Sequence, residues 1–240
     1  MLDLIVLCEG QTEREFCREV VAPHVAKGGI ALAGTLVGKP QRKHGGVRSW
    51  LAYRDELLRL ANERCDRHVA VLVDYYAMPD SWPGRTDSRS KPVLERGIHV
   101  ERLLEADLRN ELLGRFHPCV QLHEFESLLF VDPAASALNI AAAGRGFNDR
   151  DVAQEMKRIK TECGGSVELI NDVPENAPSK RLIKLMPSYD KVTWGVAAAA
   201  AISLPKLTAG CPWLNRWVCR IEALRAADSS SVGRPLMPRE

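Results

Sequence analysis

Four acidic residues stand directly after predicted β-strands, where their carboxylates could bind a metal ion. Glu9 ends the first strand, Asp74 ends the third, and Glu124 and Glu126 follow the fourth. Because ligands of parallel sheets bind outside the carboxyl ends of the strands, these side chains are expected to meet at one edge. Carboxylates held together repel one another, and a hard cation such as Mg²⁺ or Mn²⁺ removes that repulsion. The bound metal would polarise a phosphoryl oxygen and activate water, which predicts phosphodiester hydrolysis.

Each carboxylate also has an explanation that involves no metal. A carboxylate after a strand is commonly a helix N-cap or a first-turn residue, which is the alternative for Glu9. Asp74 by itself is equally suited to initiating a turn. The metal hypothesis therefore requires that the carboxylates lie together, with about 3–5 Å between oxygens of neighbouring ligands. Carboxylates that point apart, or that pair with arginine, would contradict it.

The elements that must position these residues follow an alternating pattern. Apolar runs predict strands at residues 2–8, 30–37, 68–73 and 118–122. Helical periodicity separates them, over residues 12–23, 49–64 and 93–113. The alternation predicts an α/β fold with a parallel sheet of about four strands, flanked by helices and joined by right-handed crossovers.

Local signals predict where two helices begin and end. Thr12 followed by Glu15 is a capping box, which predicts a helix start at about residue 12. Pro23 is expected to end or kink that helix, because proline lacks the backbone N–H. Ser49 is expected to cap the second helix.

Beyond residue 131 the pattern changes to helices and irregular segments. Helices are predicted over residues 149–163, 192–203 and 214–227. The expected organisation is an α/β core at residues 1–131, a helical C-terminal extension packed on it at 132–227, and a flexible tail at 228–240.

The composition is that of an ordinary globular protein. The net charge of 33 − 31 = +2 neither demands nor excludes nucleic acid, so binding has to rest on local patches. The seven cysteines show no CxxC spacing, which favours reduced thiols over disulfides or a zinc site. The acidic Asp3 and the lack of a long apolar run argue against a signal peptide and a membrane span. We therefore expect a cytoplasmic protein.

Other polar residues could bind a substrate phosphate. His123 could hold a phosphate or relay a proton, or it could bond to backbone at a strand end. Ser179, Lys180 and Arg181 follow a proline and could clamp the scissile phosphate, or they could be a solvated helix start. Lys191 is a weaker case of the same kind.

A basic loop lies between the second strand and the second helix. It could follow a nucleic-acid backbone, with glycine amides approaching phosphates, or it could be a solvated loop. No Walker-type phosphate loop occurs, so the chain is not expected to hydrolyse ATP. No local motif for a Ser-His-Asp or Cys-His site stands out. The loop residues are Lys39, Arg42, Lys43, His44, Gly45, Gly46 and Arg48.

Several segments resemble known families. The apolar strand ending in Glu9-Gly10-Gln11-Thr12-Glu13 resembles the first motif of Toprim domains, in the form found in OLD-type nucleases. The wider chain resembles the bacterial "domain of unknown function 4276" family, most specifically in the segment HEFESLLF at residues 123–130. Further matching segments lie at residues 74–79, 174–176, 178–181, 189–191 and 211–213.

The resemblance implies a Toprim-like fold and an Mg²⁺- or Mn²⁺-dependent nuclease acting on DNA or RNA. It also implies an ABC- or SMC-like ATPase partner and a role in defence against phage. Asp74 would be the primary metal ligand and Glu9 a general base or acid, or a second ligand. Lys180 would act on the phosphate, and Gly10, Thr12 and Glu13 would lie against the substrate. Whether the chain forms a homodimer stays open.

One position departs from the Toprim pattern. Asp-x-Asp usually follows the third strand, and here Tyr76 replaces the second Asp. Either Glu124 or Glu126 supplies the missing ligand, or the site is inactive. Residues two apart on a helix point about 200° apart, so both can bind one ion only if the segment is not helical. Glu124 is favoured as the direct ligand, with Glu126 close behind.

Three hypotheses follow. The first is a metal-dependent nuclease, and the second is a catalytically degenerate subunit that binds or restrains the ATPase. The third is a small-molecule phosphohydrolase, which an enclosed pocket in place of an open groove would favour.

Overall fold

Four parallel strands form the centre of the fold. The computed structural model of the protein describes residues 1–38, 48–143, 148–170, 174–187 and 189–231. The strands lie in the order β2-β1-β3-β4, and each neighbouring pair is parallel. The predicted α/β fold with a four-stranded parallel sheet is therefore confirmed. The strands are β1 (Leu2–Cys8), β2 (Ile30–Leu36), β3 (His68–Asp74) and β4 (Phe116–Gln121).

Helices lie between the strands and dominate the second half of the chain. Their bounds are α1 (Gln11–Phe16), α2 (Ala22–Lys27), α3 (Trp50–Asn62), α4 (Val93–Asp107), α5 (Arg109–Leu112), α6 (Pro133–Ala143), α7 (Asp149–Glu162), α8 (Pro178–Leu185), α9 (Val196–Ile202), α10 (Leu204–Gly210) and α11 (Pro212–Ser231). Within the described ranges, no single helix has the length and apolar character to span a membrane. One pair meets that test jointly, Lys191–Ile202 with Leu204–Gly210, which is bent by 87°.

Both faces of the sheet are covered, and each face has its own apolar cluster. Along β3, Ala70 and Leu72 belong to one cluster, and Val71 and Val73 belong to the other. This alternation follows from the two-residue period of a strand. Helices α3 and α4 cover the second face. The first face is covered by α1, α2 and the helices from α6 onward, so the C-terminal helices share a core cluster with the strands.

The register of the strands brings the acidic residues to one level. Cys8 pairs with Leu72, and the ladder continues because the N–H of Glu9 donates to the carbonyl of Leu72 at 3.0 Å. Asp74 pairs with Gln121 at the end of β4. Three neighbouring strands therefore end at one edge of the sheet, which is where parallel sheets bind ligands.

The start of α1 differs from the predicted capping box. Helix α1 begins at Gln11, with Gly10 at the N-cap in extended backbone and no side chain capping that end. Thr12 lies inside the first turn, and its buried hydroxyl has no hydrogen-bond partner among the described residues. Glu15 pairs with neighbouring arginines. The capping-box prediction is wrong because Gly10 already adopts the backbone of the cap two residues earlier.

Two further helix boundaries depart from expectation. Pro23 does not end its helix, because a π-helical turn (Cys17–Val21) precedes α2 and places the proline in the first turn of α2. There its missing N–H is tolerated. The helix expected over residues 93–113 is divided at Leu108, where φ is −103° and ψ is 6°.

The cysteines are free thiols, and four of them are buried. All seven are free, and Cys8, Cys17, Cys119 and Cys211 are buried. The sulfur atoms of Cys8 and Cys17 lie 4.0 Å apart. Burial raises the pKa of the Cys8 and Cys119 thiols, which keeps them protonated and unreactive.

The outer edge of β4 is closed by a buried carboxylate. Pro118 lies in this edge strand, where a missing N–H costs no ladder hydrogen bond. Two residues on, the N–H of Val120 donates to Glu101 Oε1 on α4 at 2.9 Å. Arg216 on α11 reaches the same carboxylate at 3.1 Å. Helices α4 and α11 thus prevent further strand pairing at this edge.

Replacing Glu101 should destabilise the fold through this edge contact. Glu101→Ala leaves the buried N–H of Val120 without an acceptor, which costs roughly 2–4 kcal/mol of unfolding free energy. Glu101→Gln keeps an acceptor oxygen and should cost less than half as much. Urea denaturation of both variants measures the difference. Equal losses in the two variants would assign the stabilisation to the charge pair with Arg216 and not to the edge contact.

Candidate metal centre

Glu9 and Asp74 lie side by side where β1 and β3 end. Glu9 Oε2 accepts a hydrogen bond from the backbone N–H of Asp74 at 2.9 Å. Asp74 is buried, and its Oδ1 accepts from the side-chain amide of Gln121 at the end of β4. Glu9 is not the N-cap of α1, because Gly10 occupies that position. The Oδ1 atom of Asp74 contacts the neighbouring strand β4. The two carboxylates therefore face a common site at the edge of the sheet.

Glu126 is the most buried carboxylate of this group. It lies in a 3₁₀ turn (Phe125–Phe130) that follows β4, and it is 0% exposed. Both of its carboxylate oxygens lack a hydrogen-bond partner within the described part of the chain. Its ion pair is a long one, 3.9 Å from Oε1 to Lys191 Nζ. A buried, incompletely paired carboxylate is costly in a folded protein, so Glu126 requires an explanation beyond stability.

Glu124 has a different role. It occupies the N-cap position of the 3₁₀ turn, and its Oε2 accepts from the backbone N–H of Ser179 at 2.9 Å. Ser179 lies in the first turn of α8, whose N-cap residue, Ala177, offers no side-chain hydrogen bond. Glu124 therefore satisfies a free N–H of α8 and stabilises its positive end. Glu126, and not the favoured Glu124, has both oxygens available.

The first turn of α1 adds a further acid. Glu13 is 4% exposed, and its Oε2 would lie 3.1 Å from a Cβ atom added at Gly10. The carboxylate is thus folded back onto the turn that follows β1. A side chain at Gly10 would crowd this carboxylate, which explains sterically why a glycine stands at this position of the motif. Glu13 and Thr12 are both buried beside the strand ends.

The pKa shifts show that these acids share one environment. Burial raises the pKa of Glu9 to about 7, and the charges of Glu13 and Glu124 add to the rise. Burial also raises the pKa of Glu126 to about 7, with Glu124 adding to it. The pKa of Asp74 is raised by burial and then by Glu9, Glu13 and Glu126. Without a cation, neighbouring charges and burial both oppose ionisation.

Lys191 is a cation that faces this cluster. It stands at the start of the π-helical turn Lys191–Gly195, with its side chain 47% exposed and its Nζ turned toward Glu126. Burial lowers its pKa, but the charges of Glu126, Glu13 and Asp74 outweigh that effect and raise it. Lys191 therefore supplies part of the positive charge that the acids require.

The other predicted phosphate ligands are placed less directly. Lys180 is exposed on α8, next to Ser179, which is tied to Glu124 by its backbone. The Nε of Arg181 donates to the carbonyl of Asn176 at 2.8 Å and so fastens the preceding turn. Lys43 and residues 39–47 of the basic loop lie outside the described residues.

His123 is buried and bonded to backbone. Its Nε2 lies 2.9 Å from the carbonyl oxygen of Glu168. Its ring stacks on the ring of Tyr76, with centroids 5.2 Å apart and planes at 7°. The contact with Glu168 matches the alternative of a strand-end histidine held by backbone, and the stacking brings Tyr76 to the edge of the site.

The donor chemistry of the cluster suits a hard divalent cation. Glu126 offers two oxygens without hydrogen-bond partners, and among the described residues none of the five acids pairs with arginine. Across the same residues, no three His, Cys, Asp or Glu side chains are arranged as a ready-made metal site. The residues therefore fit Mg²⁺ or Mn²⁺ by chemistry. The close spacing that the metal hypothesis required is not met by any three of these described side chains, so an ion would have to draw the carboxylates together.

Comparison with known proteins places the chain in a family. The sequence model of the domain of unknown function 4276 (DUF4276) matches residues 8–222. The chain belongs to this family. No curated protein matches it. Among solved structures, it is similar to the C-terminal region of the OLD protein of Xanthomonas campestris pv. campestris, with a TM-score of 0.44 and 14% identity over 95% of this chain and 97% of that one.

Three residues of this DUF4276 site were not predicted as part of it. Gln121 lay inside a predicted strand, and only the register places it beside Asp74. Tyr53 on α3 is buried, and its hydroxyl has no hydrogen-bond partner in the part of the chain that the structure describes; burial, followed by the charge of Glu9, raises its pKa. The hydroxyl of Tyr189, near Glu126, likewise finds no hydrogen-bond partner among the residues described. The matching segment at residues 189–191 was the one sequence signal for Tyr189.

Proposed function

We propose that this DUF4276 protein is a metal-dependent nuclease with a Toprim-like α/β core. The observation that carries the proposal is Glu126, which is fully buried, whose charge raises the pKa of Asp74, and whose two oxygens have no hydrogen-bond partner among the described residues. A protein gains nothing in stability from such a group, so its presence at the ligand-binding edge of a parallel sheet favours a functional role.

Each residue has a part in the proposed reaction. Asp74 and Glu126 would hold Mg²⁺ or Mn²⁺, and the metal would supply a Lewis acid for a phosphoryl oxygen. Glu9, whose pKa is raised to about 7, can accept or release a proton near neutrality, as a general base or acid must. Lys191 and the exposed Lys180 would offset the charge of the phosphate.

The wider setting is part of the same proposal. An ABC- or SMC-like ATPase would act as partner, and the substrate would be DNA or RNA in the cytoplasm, with a role in phage defence. The family resemblance supports these points. The carboxylate cluster supports the chemistry alone.

A second candidate is a non-catalytic subunit that binds or restrains the ATPase. Two observations favour it: Tyr76 stands where Toprim domains usually carry a second Asp, and the described acids do not form a ready three-ligand group. In that case the acids would be a remnant of an ancestral site.

A nuclease assay tests the first proposal. Purified protein, with and without its ATPase, is incubated with plasmid, single-stranded DNA or bulk tRNA in Mg²⁺, Mn²⁺ or EDTA. Cleavage should require the metal. Glu126→Gln, Asp74→Asn and Glu9→Gln should each lower the rate roughly a hundred-fold or more, because each removes a charge from the reacting centre.

The matched control is Glu168→Gln. Glu168 is also buried, but its Oε1 accepts from the N–H of Trp213, and glutamine preserves that acceptor. This variant should cleave at the wild-type rate. Folded protein that cleaves nothing under any condition, even with its ATPase, would make the non-catalytic subunit the better account.

A further inference from the structure

Tyr76 is a solvent-exposed aromatic side chain at the edge of the acidic site. It follows Asp74 by two residues and is 45% exposed. The tyrosines at 53 and 75 are 0% and 1% exposed. An aromatic ring that stays open to water at the end of a buried strand gives up the stabilisation that burial would provide. Its exposure is therefore better explained by a function.

The ring of Tyr76 is held in place by the ring of His123. The two rings are nearly parallel, at 7°, with centroids 5.2 Å apart. His123 is itself 2% exposed and is anchored through Nε2 to the carbonyl of Glu168. The plane of the Tyr76 ring is therefore set by a buried neighbour.

A second ring braces the same side chain. Tyr75 lies perpendicular to Tyr76, at 89° with centroids 5.3 Å apart. The hydroxyl of Tyr75 meets the hydroxyl of Ser88 at 2.9 Å, and Arg85 Nη1 donates to it at 2.9 Å. The guanidinium of Arg85 also lies over the Tyr75 ring, 4.1 Å from its centroid. With its support locked in this way, Tyr76 would lose little conformational freedom on binding a flat ligand.

We propose that Tyr76 stacks on an unpaired nucleobase of a single-stranded substrate, next to the carboxylate site. This inference deepens the proposed function, since it takes the adjacent phosphate to be the one bound by the metal and Lys191. Stacking on an aromatic ring requires a base with an open face, and a base inside a duplex has both faces covered. Tyr76 thereby replaces a metal ligand of the Toprim pattern with a substrate contact.

Binding of matched oligonucleotides tests the stacking contact. Fluorescently labelled single strands of about twelve nucleotides, of DNA and of RNA, are titrated with protein in Ca²⁺ and again in EDTA, so that cleavage does not interfere. The matched probe has the same phosphates but abasic sites in place of bases, and a duplex of the same length completes the set. Wild-type protein should prefer the base-bearing single strand over both.

Two substitutions separate stacking from charge and folding. Tyr76→Ala should weaken binding of the base-bearing strand about ten-fold and leave the abasic strand unchanged, whereas Tyr76→Phe should bind like wild type. Lys191→Ala should weaken both probes alike. Leu138→Ala removes another exposed apolar side chain, 62% exposed on α6, and should change nothing.

The outcomes distinguish this inference from the proposed function. Base-dependent binding lost in Tyr76→Ala, without metal-dependent cleavage, supports the stacking role and contradicts the nuclease. Metal-dependent cleavage together with equal binding of base-bearing and abasic strands supports the nuclease and overturns the stacking role. Preference for the duplex, or no binding of any probe by wild-type protein, also overturns it.

Discussion

In EDTA, the wild-type protein should lose stability between about pH 4.5 and pH 7, and Glu126→Gln should abolish roughly 3 kcal/mol of that loss. The pKa of Glu126 rises from 4.5 to about 7 on folding, chiefly through burial. Between those values the folded state binds more protons than the unfolded state. The contribution of Glu126 to stability is therefore fully present below about pH 4.5, decreases as the pH rises, and levels off above about pH 7.

Urea denaturation at several pH values measures this effect as a difference between variant and wild type. Glu168→Gln serves again as the buried-glutamate control. It should alter the wild-type pH dependence less than Glu126→Gln does. A parallel decline in wild type and Glu126→Gln would show that Glu126 is hydrated or paired in solution, and would remove the main support for the metal centre.

Mg²⁺ should reverse the loss, because a cation stabilises the ionised carboxylates. At a concentration about a hundred-fold above its dissociation constant, an ion that binds only the folded state adds about 2.7 kcal/mol. The gain should be larger near pH 8 than near pH 5.5, since protons compete for the same oxygens. Asp74→Asn and Glu126→Gln should lose most of it. A wild-type protein that gains no stability from Mg²⁺ or Mn²⁺ at any pH would contradict the metal centre.

Acid should destabilise the protein through His117, with the opposite pH dependence. His117 on β4 is 3% exposed and stacks on His68, with Nε2 of His117 and Nδ1 of His68 2.8 Å apart. Burial lowers its pKa from 6.5 to about 3, and the charges of Arg220 and His68 add to the lowering. Between about pH 6.5 and pH 3, His117 is therefore protonated in the unfolded state and neutral in the folded state. The contribution of His117 to stability is fully present above about pH 6.5 and is lost as the pH falls, by roughly 4–5 kcal/mol by about pH 3.

His117→Gln should remove this acid sensitivity, because glutamine does not titrate and keeps a polar group beside His68. Between about pH 7 and pH 4.5, the variant should lose roughly 2–3 kcal/mol less than wild type. His24→Gln, at the protein surface, is the control. If His117→Gln and His24→Gln show the same pH profile, the His68–His117 pair takes up protons without opposing folding.

The pH effects of His117 and Glu126 arise at opposite ends of the sheet. In each case burial disfavours the charged form of the side chain. His117 lies near the start of β4, whereas Glu126 follows its end. His117 has a neighbour in His68, so its cost appears only in acid. Glu126 has a distant lysine and, within the described ranges, two oxygens without hydrogen-bond partners, so its cost appears near neutral pH, where the proposed reaction would run.

The order of strands and helices along the chain could be predicted because it depends on local hydrophobic patterns. Apolar runs bounded by polar turns marked all four strands, and β1 was predicted to the residue. Helix ends were less predictable, since they depend on backbone geometry at single positions. The extended Gly10 displaced the Thr12 capping box, and the π-helical turn before α2 absorbed Pro23.

The types of residue at the site could also be foreseen, but their individual roles could not. Glu9 and Asp74 were placed at the sheet edge by the rule for parallel strands alone. The difference between Glu124 and Glu126 depends on α8, a helix more than fifty residues away, whose N-terminus engages Glu124. No local pattern contains that contact, because it exists only when the C-terminal helices pack beside β4.

Local sequence thus specified the strands, their order along the chain and the acidic residues that end them, because hydrophobic periodicity and residue type act over a few positions. The tertiary structure alone decided strand order in space, the burial of Glu126 and the stacking of Tyr76 on His123. Those features depend on contacts between distant segments, and burial sets the pKa and the hydrogen bonding of a polar group only after such contacts form.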